Sequence, residues 1–569
     1  MKSIIRSKKF IALVLIVGIL SAIGFTKEKD FKISKSLDIY YTLFRELNLF
    51  YVDETHPEKL VETSIESMLE SLDPYTKYIP EKDMEDFKFM TTGNYGGIGA
   101  LIQRKDEYAI ISQPYKDFPA DKAGLKTADR ILKIDGQSIK GWELEKISDN
   151  LKGIPETKVE LTIDRPGVEE TIKKTVERQK VHINSVPYYS MINKEKNTGY
   201  IRLSKFTENC SEEVRNAFID LEKNNELNKV ILDLRSNPGG LLDEAVKVAN
   251  LFIPKGKTIV STKGKVEKWN HTYRTESDPE NTEIPLVILV DRASASASEI
   301  VAGAIQDLDR GVVIGERTFG KGLVQTTRPL SYNGKLKVTT AKYYIPSGRS
   351  IQAKDYSNRN EDGSVGEIPD SLIKEFNTAN GRKVYDGGGI RPDIKKESAT
   401  LSKIEQSLLS NRLIFDYVTN FVLKHDSIAP VPKFNVSENT FENFKSFLDE
   451  KDWDYTTRSE EKLKKLIETA KREKYYTRAE STINELKDKL SNNKEKDLKE
   501  FKPSIKQLIK EEIASRYYYQ AGSIQANLED DKQIDEAIEI LNNNNQYNNI
   551  LSGKITRDNV KTVKEKIEN

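Results

Sequence analysis

A chemically suggestive segment spans residues 291–300, where three serines alternate with alanines: Ser294, Ser296 and Ser298. An apolar run precedes this segment, and a helical pattern begins near Ser296. A hydroxyl at a helix N-terminus lies among free backbone N–H groups, which together with the helix dipole stabilise a developing oxyanion. The segment therefore predicts either a nucleophilic serine or ordinary helix capping by Ser298 and Glu299.

A serine hydroxyl becomes a strong nucleophile only when a base removes its proton. The usual base is histidine, and the chain has four, none in a glycine-rich turn or at a strand end: His56, His182, His271 and His425. The Gly-x-Ser-x-Gly elbow is also absent from the sequence. These observations disfavour a Ser-His-Asp triad.

A lysine is the alternative base. Lys321 stands between Gly320 and Gly322, just after an apolar strand pattern at 312–315. A lysine buried against apolar walls has a lowered pKa, so its neutral amine becomes available near neutral pH. Gln325 shares one face with Lys321 on an extended segment, so it can orient the amine. The competing interpretation is a solvated surface lysine.

The segment 233–240 ends a strand in a Pro-Gly-Gly turn before another helical pattern. A backbone amide at this turn, near Gly239, could donate one hydrogen bond to an oxyanion, with the Ala297 N–H as the other donor. Ordinary turn chemistry is the alternative, because Pro and Gly are common turn residues.

Length and composition limit the class of protein. A chain of 569 residues is too long to fold around a single hydrophobic core, so we predict three or four domains of about 150 residues. Its net charge of +1 gives no electrostatic argument for a nucleic-acid partner. A single cysteine, Cys210, excludes an internal disulfide and fits a small core or surface thiol.

The N-terminus carries basic residues followed by an uninterrupted apolar run at 10–25 and further charges. This order is typical of an export signal, either cleaved or retained as a membrane anchor, although a buried core helix is the competing interpretation. We therefore expect residues 1–29 to direct export, with the rest of the chain periplasmic or anchored in the inner membrane facing the periplasm.

Four further regions follow from the pattern of the remaining chain. Residues 30–90 show helical periodicity, and 91–184 contain short strands between glycine-rich turns. Residues 185–398 alternate apolar strands with helices, which favours a largely parallel sheet covered by helices. Residues 399–569 are helical and strongly charged. The prediction is an α/β multidomain protein with an α/β core at 185–398, a helical N-terminal region at 30–90 and a helical C-terminal extension at 399–569.

Taken together, these segments resemble the carboxy-terminal processing (tail-specific) serine protease family. The gap of 25 residues between Ser296 and Lys321 is the family's, as is the order of the motifs. The resemblance covers about residues 35–398. The segments that carry it are 68–75 (MLESLDPY), 233–240 (DLRSNPGG), 294–300 (SASASEI), 320–325 (GKGLVQ), 343–352 (YYIPSGRSIQ) and 389–393 (GIRPD).

The resemblance implies a Ser-Lys dyad on an α/β core related to the crotonase and Clp-protease folds. Ser296 attacks, Lys321 removes its proton and Gln325 positions Lys321. The oxyanion hole consists of the N–H groups of Ala297 and Gly239. Neither a metal nor another cofactor is implied.

The same resemblance implies a PDZ domain at 91–184, inserted before the protease core. Its carboxylate-binding loop would contain Gly97, Ile98, Gly99 and Ala100. Successive free N–H groups in such a loop bind the C-terminal carboxylate of a peptide, which adds to the sheet as a strand. Substrate binding to this domain would then align Ser296 with Lys321.

The predicted function is a serine endopeptidase that captures exported polypeptides by their C-termini and cleaves them near that end. A non-catalytic PDZ scaffold for exported proteins is the main alternative. An acyl-CoA enzyme on the crotonase-type fold is disfavoured by the export signal and the PDZ region. Residues 399–569 fall outside the resemblance and would serve a homo-oligomer or an adaptor contact, or shield the site.

Overall fold

The computed structural model describes residues 30–193, 197–224, 226–490 and 493–554. The chain forms two compact units, Met1–Tyr78 and Ile79–Asn569. The predicted export signal at residues 1–29 lies outside the described residues. Within the described part of the chain, no helix is both long enough and apolar enough to cross a bilayer.

The first unit contains two helices, at residues 30–50 and Pro57–Glu70. The second helix ends before a turn in which the Asp73 carboxylate accepts the backbone N–H groups of Tyr75 and Thr76, each at 2.8 Å. The sequence Asp73-Pro74 explains this turn, because Asp favours such side chain to backbone bonds and Pro prevents helix continuation.

The second unit begins with helix Met84–Thr92, followed by a small β domain that contains helix Leu144–Leu151, of which Ile147 and Leu151 are buried. A two-stranded sheet pairs Asn94–Gly97 with Gln179–His182. The main sheet of this domain is antiparallel. Its strand order is Ala100–Lys105, Tyr108–Pro114, Arg130–Ile134, Lys158–Asp164 and Ile172–Glu177, and the short strand Gln137–Ser138 pairs with Arg130–Ile134. Buried residues alternate with more exposed ones along Lys158–Asp164, and the buried residues of the domain form one apolar core.

A six-stranded sheet forms the centre of the second unit. Its four inner strands are almost fully buried, and the strands lie parallel after the first, antiparallel pair. Their order is Tyr188–Asn193, Thr198–Arg202, Lys229–Asp233, Leu286–Val290, Val312–Gly315 and Ile394–Lys395. Burial on both faces explains the continuous apolar runs in the sequence, so the predicted parallel sheet is confirmed.

Helices cover both faces of this central sheet. One face packs against Cys210–Asn224, Leu242–Asn250 and Ala297–Asp307. The other face packs against two helices near the end of the chain, Lys532–Asn542 and Asn544–Leu551. The Tyr547 side chain even contacts the Leu286 backbone within the sheet. The last two helices of the C-terminal region are therefore part of the core around the central sheet.

A separate antiparallel sheet carries the segment that follows Lys321. Strand Leu323–Pro329 pairs with Lys335–Tyr344, which pairs in turn with Thr258–Gly264 and through it with His271–Arg274. Two short hairpins follow along the chain, formed by Lys354–Arg359 with Val365–Glu367 and by Glu375–Asn377 with Lys383–Tyr385.

Five of the remaining helices pack around a second apolar core, distinct from that of the central sheet. Within the longest of them, Tyr519 has φ 57° and ψ −154°, which breaks the helix. The five helices are Lys403–Ser410, Leu413–Val422, Glu438–Asp449, Lys494–Glu500 and Lys502–Asn527. Two further helices, Arg458–Arg472 and Tyr476–Leu490, pack against each other.

Candidate active site

Ser296 lies at the N-terminus of helix Ala297–Asp307, directly after the buried strand Leu286–Val290 and a short turn. Its backbone has φ 56° and ψ −112°, a conformation that L-residues rarely adopt. Strain of this kind costs about 1–3 kcal/mol and is typical of functional positions that the surrounding structure holds in place. We call residues 291–298 the serine turn.

The three serines of the serine turn have different surroundings. The Ser294 hydroxyl is buried and donates to Leu234 O at 2.8 Å, and the buried Ser298 hydroxyl donates to Asn237 O at 2.9 Å. Ser296 alone of the three is partly exposed. Two serines thus stabilise the turn, and the middle one remains accessible for chemistry.

Gly239 lies against the serine turn so closely that only glycine fits. A Cβ there would be 2.8 Å from the Ser296 Cβ and 2.9 Å from the Ala297 N, and the residue has φ +96°. The Gly239 N–H donates to Asn237 Oδ1 at 2.9 Å in this structure. The structure therefore brings Gly239 and Ala297 together, and their shared role as oxyanion donors stays a prediction.

A fully buried carboxylate, Glu299, joins the serine turn to the loop that carries the lysine, residues 318–322, which we call the lysine loop. Its Oε2 accepts the backbone N–H groups of Ser296 and Lys321, each at 2.8 Å. Its Oε1 accepts the Gly320 N–H at 2.8 Å and the Thr318 hydroxyl at 2.5 Å. One side chain thus holds the backbones of both predicted dyad residues.

Glu299 is also electrostatically unusual. Burial raises the pKa of Glu299 to about 7, and the four hydrogen bonds it accepts oppose this rise. Sequence reasoning assigned Glu299 only a capping role. The Ser-x-x-Glu spacing is the signal that relates it to Ser296, because a residue at the third helical position reaches back to the N-cap amide.

A buried tyrosine provides a second link between the two segments. The Tyr343 hydroxyl lies 3.2 Å from Ser296 O and also hydrogen-bonds to Lys321 O. The lysine loop is held further by Gln352, whose Oε1 accepts the Gly322 N–H at 2.8 Å. These contacts give a physical role to two positions of the predicted motif at 343–352.

Other residues of the predicted motifs form a buried charged network beneath the site. Arg349 donates to Asp307 Oδ1 and to Gln306 Oε1, each at 2.8 Å, and both charged side chains are fully buried. Asp393 accepts the Gln306 side-chain amide at 2.8 Å and the backbone N–H of Val313 at 2.9 Å. Removing one member would leave its partners buried and unpaired, which is costly.

The segment 233–240 begins with a buried carboxylate, Asp233, between two arginines. Burial alone would raise the pKa of Asp233, but Arg235 and Arg202, with Nη2 and Nη1 atoms at 2.6 and 2.8 Å, hold it below its usual range. Tyr200 OH donates to the same carboxylate at 2.7 Å. This network anchors the end of the strand from which the Gly239 turn departs.

Gln325 lies on strand Leu323–Pro329, two residues beyond its start. Its side-chain amide donates to Leu323 O at 3.3 Å and to Thr339 Oγ1 at 3.2 Å. The strand pairing is irregular between Val324 and Gln325. The predicted role of Gln325 in orienting Lys321 stays a prediction.

The prediction that no histidine lies at a strand end is wrong, because His182 ends strand Gln179–His182 and His271 begins strand His271–Arg274. His182 lies 3.1 Å from both the Asn94 side chain and the Glu213 carboxylate. His425 stacks on Phe421 and hydrogen-bonds to its carbonyl oxygen. None of these partners belongs to the serine turn or the lysine loop. Within the described ranges, no group of three or more His, Cys, Asp or Glu side chains is placed to hold a metal ion.

The predicted carboxylate-binding loop, residues 97–100, leads directly into strand Ala100–Lys105. Gly99 has φ +71°, and its carbonyl accepts the Tyr115 N–H at 2.9 Å. Burial raises the pKa of Tyr95, and hydrogen bonds from the backbone of Gly99 and Ala100 to its hydroxyl oppose this rise. Carboxylate binding by this loop stays a prediction.

Family models match three stretches of the chain. Residues 87–164 match the PDZ domain, residues 197–359 match peptidase family S41, and residues 404–541 match the C-terminal helical domain of a probable PDZ-protease. The last match covers the charged helical region that the sequence resemblance left out.

Curated relatives carry the description "Probable CtpA-like serine protease". One from Staphylococcus saprophyticus is 34% identical over 453 residues, which cover 78% of this chain and 87% of the relative. One from Staphylococcus aureus is 38% identical over 336 residues, which cover 58% of this chain and 65% of the relative. The chain thus spans slightly less than two thirds of several of these relatives.

Solved structures with similar folds include a photosystem II D1 C-terminal processing protease, with 27% identity. That comparison covers 63% of this chain and 92% of the other, with a TM-score of 0.34. A peptide-bound PDZ domain of a carboxy-terminal protease from Vibrio cholerae has 29% identity, and covers 16% of this chain and 99% of the other, with a TM-score of 0.15. The predicted family is confirmed: the chain belongs to the CtpA-like serine proteases of peptidase family S41 and carries a PDZ domain.

Proposed function

We propose that the protein is a serine endopeptidase in which Ser296 is the nucleophile and Lys321 the general base. The observation that carries the proposal is the shared acceptor, Glu299 Oε2, which receives the backbone N–H groups of both residues. Two segments that meet through one buried atom hold their side chains in a fixed relation, and fixed orientation lowers the barrier for proton transfer and attack.

The reaction proceeds in two halves. Ser296 Oγ attacks the scissile carbonyl carbon while its proton passes to the neutral amine of Lys321, and the oxyanion receives N–H donors from Ala297 and the Gly239 turn. The tetrahedral intermediate collapses, and the leaving amine takes the proton from Lys321. Water then attacks the acyl-enzyme by the same route, which releases the new C-terminus and restores Ser296.

The proposal includes capture of the substrate by its C-terminus. Strand Ala100–Lys105 is an edge strand of its sheet among the described strands, with Tyr108–Pro114 as its one neighbour. An open edge next to a loop of backbone donors suits a peptide that adds as a strand and ends in a carboxylate. The apolar run at residues 10–25 supports exported proteins as substrates and a location outside the cytoplasm.

Cleavage of model peptides tests this function. We expect the wild-type chain to cut a fluorogenic peptide with a free apolar C-terminus and to cut its amidated form much more slowly. Ser296→Ala and Lys321→Met should abolish cleavage, whereas Ser331→Ala, at an exposed serine, should not change it. Binding of the free tail without any cleavage by the wild type would instead favour the non-catalytic scaffold.

A further inference from the structure

The edge strand Ala100–Lys105 leaves every second residue available to an added strand. The Tyr115 N–H donates to Gly99 O on the side of the neighbouring strand. The pairing has a register shift between Leu101 and Ile102, but the extra residue lies on the neighbouring strand, so the alternation along Ala100–Lys105 is kept. Ala100, Ile102 and Arg104 therefore direct their backbone N–H and C=O groups to the open edge. A tail whose last residue pairs at Ala100 would place its third residue from the end at Ile102 and its fifth at Arg104.

The helical C-terminal region contacts the edge strand at Arg104. Arg412, which precedes helix Leu413–Val422, donates from Nη2 to Arg104 O and, at 3.1 Å, to Gln103 Oε1. Arg412 therefore occupies the backbone acceptor that the fifth residue of a bound tail would use. Its own backbone is left-handed, with φ 59°, which is rare for arginine and typical of functional positions.

The charge of Arg412 is uncompensated among the described residues. Its two acceptors are neutral oxygens, and its Nη1 is buried without a hydrogen-bond partner in the described part of the chain. The acidic residue one turn along, Asp416, is paired with Lys105 at 2.8 Å. A carboxylate that displaces the Gln103 and Arg104 oxygens would form charge-assisted hydrogen bonds with this guanidinium, which are stronger than those to neutral oxygens.

We propose that Arg412 makes the helical region part of the tail-binding groove and selects substrates with an acidic residue at the fifth position from the C-terminus. The last four residues of the tail pair with the edge strand, and the acidic side chain binds the Arg412 guanidinium where the pairing ends. This inference rests on the proposed capture of C-terminal tails, and it adds a specificity that this capture alone does not require.

The test is a binding series with three fluorescent eight-residue peptides that share the same last four residues. The fifth residue from the end is Glu, Gln or Lys, and binding is measured by anisotropy on the full chain carrying Ser296→Ala, so that the peptide is not cut. We expect the Glu peptide to bind about five- to tenfold more tightly than the Gln peptide, and the Lys peptide to bind most weakly. Arg412→Gln should erase this preference, and Arg412→Lys should keep part of it.

Two controls separate the specificity from tail capture. A four-residue peptide should bind Arg412→Gln and its parent equally, and Arg472→Gln, on another helix of the same region, should keep the preference for Glu. The inference would be overturned if Arg412→Gln kept the preference for Glu. It would also be overturned if Arg412→Gln raised the affinity for all three eight-residue peptides equally. Failure of every free tail to bind would overturn tail capture itself, and the inference with it.

Discussion

Ser296 and Lys321 donate their backbone N–H groups to the same oxygen atom, Oε2 of Glu299, each at 2.8 Å. The two residues come from different segments, one at the start of a helix and one in a loop after a strand. Because the shared acceptor is fully buried, neither segment can shift without breaking a hydrogen bond that water cannot replace. Glu299 is therefore a positioning residue for the proposed dyad.

Replacing Glu299 by Gln tests this positioning role. The amide NH2 of the variant faces N–H and O–H donors, so at least one buried donor loses its acceptor. We expect kcat to fall by about 10²-fold with KM little changed, and the free energy of unfolding to fall by about 2–4 kcal/mol. Peptide cleavage and urea denaturation measure these effects. Glu442→Gln, at an exposed helix position, is the matched control, and equal activity of both variants would contradict the role.

The raised pKa of Glu299 predicts how stability depends on pH. Burial raises this pKa from 4.5 to about 7, so between these values the unfolded chain releases the proton before the folded chain does. Glu299 therefore contributes stability that is present below about pH 4.5 and is lost as pH rises through about 7, by roughly 3 kcal/mol. Unfolding measured from pH 4 to 8 should show this loss in the wild type, and a matching loss in Glu299→Gln would refute the assignment.

The close approach of Gly239 to Ser296 predicts a specific intolerance of alanine. Gly239 and Gly256 both have a positive φ, at +96° and +85°, but only Gly239 has atoms within 4 Å of an added Cβ. Gly239→Ala should therefore displace the serine turn and lower kcat by about 10²-fold. Gly256→Ala has the same backbone strain without the clash and should keep nearly full activity. Equal losses in the two variants would show that backbone strain, rather than displacement of Ser296, is responsible.

We expect the Tyr95 hydroxyl to compete with a tail carboxylate for the backbone donors of the carboxylate-binding loop. The backbone of Gly99 and Ala100, whose N–H groups a tail carboxylate would use, opposes the rise that burial causes in the pKa of this hydroxyl. Tyr95→Phe removes the competing oxygen, so free-tail affinity should rise by about two- to fivefold. Anisotropy with free and amidated peptides measures this change, and Tyr108→Phe in the same domain should leave affinity unaltered. A loss of affinity in Tyr95→Phe would instead make the hydroxyl part of the binding site.

Local patterns predict much of this fold. The runs at 230–234, 285–290 and 312–315 are strands because they are continuously apolar, and the parallel sheet follows from their alternation with helices. The helix after Ser296 begins where the small residues and the Ser-x-x-Glu spacing indicate. Such features depend on neighbours in sequence, so periodicity and turn chemistry are sufficient to find them.

Contacts between distant segments are not predictable in the same way. The three hydrogen bonds from the lysine loop to Glu299 depend on how a helix and a loop pack. The local spacing of Glu299 predicts a helix cap equally well. The packing of Tyr547 beneath Leu286 depends on a helix about 260 residues further along the chain. No sequence pattern around Arg412 predicts its role, because that role depends on the docking of the helical region against strand Ala100–Lys105.

Labelling with a fluorophosphonate, a reagent that phosphonylates activated serine hydroxyls, tests the Ser-Lys dyad most directly. Intact-mass spectrometry of the full chain should show one adduct on the wild type, mapped by peptide digestion to Ser296. Ser296→Ala and Lys321→Met should remain unlabelled under the same conditions, while Glu299→Gln should be labelled more slowly. Labelling of Lys321→Met at the wild-type rate, or an adduct on another residue, would contradict the account.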